Sequence, residues 1–216
     1  MIRIGLLGEA PSDTSAIKNL LKQHFGETID FFPMLRDYNG DNLDTKDANE
    51  RLRKEFQIEN PDLVIYIRDS DALETNKKQI DLRKAAFKEK RRRVDGRAIP
   101  LLIVVEAEAL VLADIEGYIE FHLKRQLRWA RSISAEQLDT LRAEKLALFA
   151  HITDPMLDPD PKRTLMEAEG LPYDESRLAG VSEYLRLSVV LQNHRGFALF
   201  FKRFLKKLAQ IEGSVS

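Results

Sequence analysis

Apolar residues along this chain fall into short runs that alternate with longer, spaced stripes. "IRIGLL" (2–7) is such a run, and "DTSAIKNLLKQHF" follows it with Ile17, Leu20, Leu21 and Phe25 at helical spacing. The first predicts a strand and the second a helix, with Ser12 or Asp13 placed to cap its start. "TIDFFPML" (28–35) is strand-like, and Pro33 marks either a sheet edge or the end of the strand. The polar stretch "TKDANERLRKEFQIEN" (45–60) predicts a helix stopped before Pro61. "DLVIYI" (62–67), a continuous run rich in β-branched and aromatic residues, predicts a strand covered on both faces. A helix over about 73–93 and a second fully apolar strand, "PLLIVV" (100–105), continue the rhythm. Beyond about residue 108 no strand pattern remains. The stretches 107–129, 134–150, 161–169 and 182–210 read as helical, interrupted by "DPMLDPDP" (154–161).

Strand candidates separated by helices predict an α/β fold: a mostly parallel, four-stranded, Rossmann-like sheet flanked by helices, with a C-terminal helical extension. A chain of 216 residues can bury one good core plus an addition. The division expected is an α/β module over 1–115 and a helical extension over 116–216 packed on it.

Composition removes several classes of chemistry. No cysteine is present, which excludes disulfides, thiolate zinc sites and a cysteine nucleophile. Neither G-x-x-x-x-G-K-[ST] nor G-x-S-x-G occurs, so a phosphate-cradling loop and a serine hydrolase are not indicated. His24, His122, His151 and His194 are scattered without ligand spacing. No apolar run reaches the roughly 18–20 residues that span a bilayer, so no membrane association is expected. The opening "MIRIGLLGEA" is too short and too soon acidic for a signal peptide, and cytoplasmic residence is the simplest inference. The formal net charge is −1, yet "KAAFKEKRRRVDGR" (84–97) and "KRFLKK" (202–207) concentrate positive charge. Such patches can grip a polyanion locally through counterion release.

Acidic residues collect where the strands should end. In an open parallel sheet, functional groups gather at the carboxyl ends of the strands. Those ends carry Glu9 after the first strand, Asp69 and Asp71 after the third, and Glu106 and Glu108 after the fourth, with Asp114 close behind. In extended chain, residues i and i+2 point the same way, so Asp69 and Asp71 can aim at one point. Carboxylates from several strands repel one another unless a cation sits among them. Oxygen ligands without His or Cys suit Mg²⁺ or Mn²⁺ rather than zinc.

A glutamate after the first strand, then Asp-x-Asp after a later apolar strand, resembles the pattern of the Toprim domain of topoisomerases, primases and OLD-family nucleases. Over a longer span, "LLGEAPSDTSAIKNLL", "DLVIYIRDSDALE", "EAEALVLAD", "DPKRTL" and "GFALFFKRFLKKL" resemble the small stand-alone Toprim-like proteins of the DUF4276 family. Ala10 stands where glycine is usual in that family, and Leu110 where a tryptophan is usual. The resemblance implies a Mg²⁺-dependent nuclease with Glu9, Asp69, Asp71 and Lys162 as catalytic residues. Glu9, Asp69, Asp71, Glu108 and Asp114 would ligate the metal. It also implies nucleic acid as substrate and a partner ATPase or phage-defence protein. The alternative is a Toprim-like module that binds or regulates without cleaving.

Other residues carry two readings each. Lys162 fits either a phosphate contact or a solvated lysine at a helix start. Arg91, Arg92 and Arg93 fit either a nucleic-acid backbone or a solvated helix face. Phe197, Phe200, Phe201 and Phe204, at helical spacing, are expected in the core.

Overall fold

The computed structural model describes residues 1–73, 75–127, 134–170 and 174–214. Four parallel strands form one sheet in the order β2-β1-β3-β4: β1 (Ile2–Leu7), β2 (Ile29–Pro33), β3 (Leu63–Asp69) and β4 (Ala98–Ile103). Helices α1 (Pro11–Phe25), α2 (Lys46–Glu59) and α3 (Lys77–Arg93) connect them in turn. The chain is therefore α/β, with an all-parallel, Rossmann-like sheet flanked by helices and a C-terminal helical region. Pro33 closes β2, an edge strand, as the sequence predicts.

Alternation along the strands divides the apolar residues between the two faces. Ile4, Leu6, Ile65, Ile67, Leu101 and Ile103 face one side, where they join Phe197, Phe200 and Phe204 from the C-terminal helices. Leu7, Val64, Tyr66 and Ala98 face the other, against Leu52 and Phe56 of α2. The extension thus shares a core with the sheet, and the four phenylalanines are buried as expected.

The remaining helices are α4 (Ala109–Ala113), α5 (Ile115–Leu127), α6 (Ala135–Leu148), α7 (Pro161–Glu169), α8 (Leu178–Ser182), α9 (Leu187–Asn193) and α10 (Arg195–Ser214). Two expected helices are divided. The stretch 107–129 breaks at Asp114, and its last two residues lie outside the described ones; 182–210 breaks at His194. The fourth strand begins two residues earlier than expected and ends at Ile103. Val104 and Val105 belong to the loop that follows. Its burial alternates, because β4 is the other edge strand and is not covered on both sides. Among the described residues no helix is long and apolar enough to cross a membrane.

Candidate functional site

The loops after β1, β3 and β4 meet at the carboxyl edge of the sheet. Glu9 leaves β1 and its Oε1 accepts a hydrogen bond from the backbone N–H of Asp69, at 3.0 Å. Asp69 ends β3, and its carboxylate accepts from the backbone N–H of Ala107, beside Glu108. Asp13, in the first turn of α1, accepts from the N–H of Ala10, beside Glu9, at 2.9 Å. Ala10 occupies the N-cap position and has no side-chain acceptor, so Asp13 supplies the reciprocal half of a capping box alone. Glu9, Asp13, Asp69 and Glu108 are thereby drawn into one neighbourhood.

The Asp69 carboxyl is held well above its usual range. Burial contributes most, followed by the charges of Asp13, Glu9 and Glu108. Glu9 is also raised, by burial against the opposing pull of Arg68 and the Asp69 N–H. A recessed carboxylate facing like charges is costly to ionise.

Two arginines offset that cost. Arg68, 1 % exposed, pairs through Nη1 with Glu9 Oε1 at 2.9 Å and through Nη2 with Asp44 Oδ2 at 3.2 Å. Arg83, one turn and a half into α3, pairs with Asp71 and stands 3.7 Å from Asp44. Asp44 ends a short 3-10 turn (Gly40–Asp44) and also accepts from Tyr66 Oη at 2.5 Å. Lys90 lies 4.0 Å away, and burial lowers its ammonium to about 8.

Asp71 does not aim where extended geometry predicts. The strand ends at Asp69, and Asp71 takes a left-handed backbone, φ 51°, which turns it toward Arg83. Ser70 stabilises this turn: its Oγ donates to Ala72 O at 2.5 Å and accepts from Val105 N at 2.8 Å. The N–H of Asp71 donates to Val105 O at 3.0 Å, so the β3 and β4 loops are clipped together. Val105 itself has φ 63°, a strained conformation for a β-branched residue. Such strain costs about 1–3 kcal/mol and gathers at functional sites.

Asp114 stands apart. Its side chain is fully buried against Arg186, with Oδ1 and Oδ2 receiving the guanidinium at 2.5 and 3.0 Å and the backbone N–H groups of Gly117 and Arg186 at 3.1 and 2.6 Å. Gly117 permits this approach, since a Cβ there would sit 2.6 Å from Tyr184 O. Lys162, at the start of α7, lies 3.7 Å from Glu106, so it does reach the β4 loop. Arg91, Arg92 and Arg93 end α3, which runs antiparallel to the strands, and so lie at the opposite edge of the sheet from Glu9. Arg92 pairs with Glu89, Arg93 with Glu50 and Glu89, and Arg91 Nε donates to Gly96 O.

Set against protein-family models, curated proteins and solved structures, the chain matches none of them. Among the described residues no group of three or more His, Asp or Glu side chains is arranged to hold a metal ion. Sequence reasoning missed Asp13, Asp44, Arg68 and Arg83. Arg68 alone left a signal, a charge inside the apolar run "DLVIYIRD".

Proposed function

We propose that the protein is a Toprim-like, Mg²⁺-dependent phosphodiesterase acting on nucleic acid at the Glu9–Asp69–Glu108 cluster. The observation that carries this reading is the convergence of Glu9, Asp13, Asp69 and Glu108 at the carboxyl ends of parallel strands. The resemblance to Toprim-like proteins supports it. The donor chemistry, all oxygen and mutually repelling, suits a hard divalent cation, although the described side chains are not already arranged around one point and would have to close on it. Asp69, Glu108 and Glu9 would hold it, whereas Asp71 and Asp114 are engaged by Arg83 and Arg186. A bound Mg²⁺ supplies charge stabilisation at the phosphoryl oxygens. Arg68 and Arg83 add positive charge to the same neighbourhood, and Lys162 can do so from the β4 side. Glu9, its carboxyl raised by burial, is suited to accept a proton from the attacking water.

A binding or regulatory module is the second reading, favoured by the pairing of Glu9 with Arg68 and Asp71 with Arg83. One set of assays separates the two. Under the first reading, the protein cleaves plasmid, linear, single-stranded or RNA substrate when Mg²⁺ or Mn²⁺ is supplied, and EDTA stops it. Glu9→Gln then slows cleavage by roughly 100-fold or more, as for loss of a general base. Absence of cleavage on every substrate, or an unaffected Glu9→Gln protein, overturns the phosphodiesterase reading. A partner ATPase or defence-system protein rests on the resemblance alone.

A further inference from the structure

The free edge of β4 is not bare. A groove of about 520 Å³ runs along it, floored by Pro100, Leu102 and Val104 and walled by α3 on one side and α10 on the other. α3 crosses over between parallel strands and so runs antiparallel to them. α10 does too, its start lying beside the end of β4 and its later residues beside the start of β3. The groove is lined by Ile80 to Phe87 of the one and Gly196 to Arg203 of the other. It therefore opens toward the carboxyl edge of the sheet, where the carboxylates stand.

Its charge is one-sided. Among the described residues Arg68, Arg83, Lys84 and Arg203 line it and no acidic side chain does, although Arg68 and Arg83 are paired with Glu9, Asp44 and Asp71 behind it. Arg68 and Arg83 are the same residues that pair with Glu9 and Asp71, so the groove and the carboxylate cluster share a wall. Between the cations lie apolar surfaces: Phe87, partly buried and stacked on Tyr66 at 6.2 Å, and Leu199, 50 % exposed on α10.

An extended peptide could in principle add to a sheet edge, but this edge is unsuited to it. In the parallel ladder, Val64 and Ser70 donate to Arg97 and Ile103. By alternation, the backbone groups of residues 98, 100 and 102 face outward. Pro100, at the centre, has no N–H to offer, which blunts the edge against strand pairing. What remains is a basic channel with apolar side-chain surfaces, the arrangement that grips a single strand by its phosphates and unstacked bases. A duplex keeps its bases stacked inside and offers Phe87 nothing to pack against.

Resting on the phosphodiesterase reading above, we infer that the β4-edge groove is the subsite for a single-stranded segment of nucleic acid leading into the Glu9–Asp69 cluster. Phosphates meet Arg83, Lys84 and Arg203, and a base packs on Phe87 and Leu199. The arginines at 91–93, at the far edge, have no part in it.

The test is fluorescence anisotropy with a labelled short oligothymidylate and a duplex of equal length, in EDTA so that nothing is cleaved. The single strand should bind about tenfold or more tighter than the duplex. Lys84→Gln with Arg203→Gln, both on the surface, should leave the melting temperature unchanged and flatten the log K against log salt slope by about 1.4, at roughly 0.7 per phosphate contact on a single strand. Phe87→Ala should weaken binding about tenfold, the size of one lost base–aromatic stack. Equal or tighter duplex binding, an unchanged slope, or equal competition by polyglutamate overturns the subsite. Because binding is read without metal, oligothymidylate bound while no DNA or RNA substrate is cut in Mg²⁺ or Mn²⁺ would sink the phosphodiesterase reading and leave the groove standing. Cutting with an unchanged salt slope would do the reverse.

Discussion

Asp69 and Asp114 look alike in the sequence, each an aspartate just past an apolar run, yet their surroundings are opposite. Asp114 is enclosed and has a guanidinium and two backbone N–H groups on its two oxygens. Asp69 is recessed among Asp13, Glu9 and Glu108, and its compensation is a backbone N–H from Ala107. The first arrangement ties α4 and α5 to the segment that enters α9, and so does structural work. The second stores repulsion at the mouth of a sheet, which has no structural benefit and is relieved by bringing in positive charge. A buried acid is informative about function only through what faces it.

The largest effect should come from the satisfied aspartate. Asp114→Asn keeps the shape but loses the charge, and its amide nitrogen would face Arg186 or a backbone N–H. Breaking a buried pair costs about 3–5 kcal/mol when both partners are enclosed. Arg186 is 47 % exposed and can turn to water, so a loss of about 2–3 kcal/mol is expected. Urea denaturation measures it. A loss below about 0.5 kcal/mol, the size of an ordinary surface change, would show that the clamp is not structural.

The second variant sharpens the contrast by reversing the sign. Asp69→Asn removes a charge that the fold disfavours. Because the folded-state carboxyl is raised above its unfolded value, the folded chain binds the extra proton between the two, and stability falls as pH rises through that window. Asparagine, neutral throughout, escapes this loss. In EDTA at neutral pH the variant should melt about 2–4 °C higher than the wild type, what roughly 1 kcal/mol gives at this size. The difference should shrink as pH falls into the ordinary carboxylate range, where wild-type Asp69 is protonated too. A variant that melts lower at neutral pH would mean that Asp69 is satisfied like Asp114.

How far this contrast could be read in advance depends on what sets each feature. The strands and their order of appearance follow from "IRIGLL", "DLVIYI" and "PLLIVV", because burial on a sheet demands apolar runs. Acid at the strand ends was equally visible. What was not visible is anything decided by side chains meeting across the fold. Asp13 passes for a helix cap, which it is, and its second neighbour Asp69 is 56 positions away. Arg83 is one of many basic residues in α3, and only the pitch of that helix selects it over Arg91–Arg93. Asp71 was misplaced because the i, i+2 rule holds only while the chain stays extended, and the Ser70 clip ends the extension one residue after Asp69.

The smallest effect on stability should belong to Asp71, and it separates the two acids of the Asp-x-Asp pair. Its side chain is 48 % exposed and its partner Arg83 also lies near Asp44, so the pair is a partly solvated one. Asparagine tolerates the left-handed backbone that Asp71 adopts at φ 51°, and the turn should persist. Asp71→Asn should therefore cost less than about 1 kcal/mol, and the cost should fall further in high salt, where exposed pairs are screened. Orientation gives the variant a second readout. If Asp69 faces the metal and Asp71 faces Arg83, Mg²⁺ should still raise the melting temperature of Asp71→Asn but not of Asp69→Asn, since only ligands transmit binding energy to the folded state. Were Asp71→Asn to lose the Mg²⁺ response as fully as Asp69→Asn, Asp71 would have to swing away from Arg83 when metal binds, and the Arg83 pair would be the resting state of a ligand.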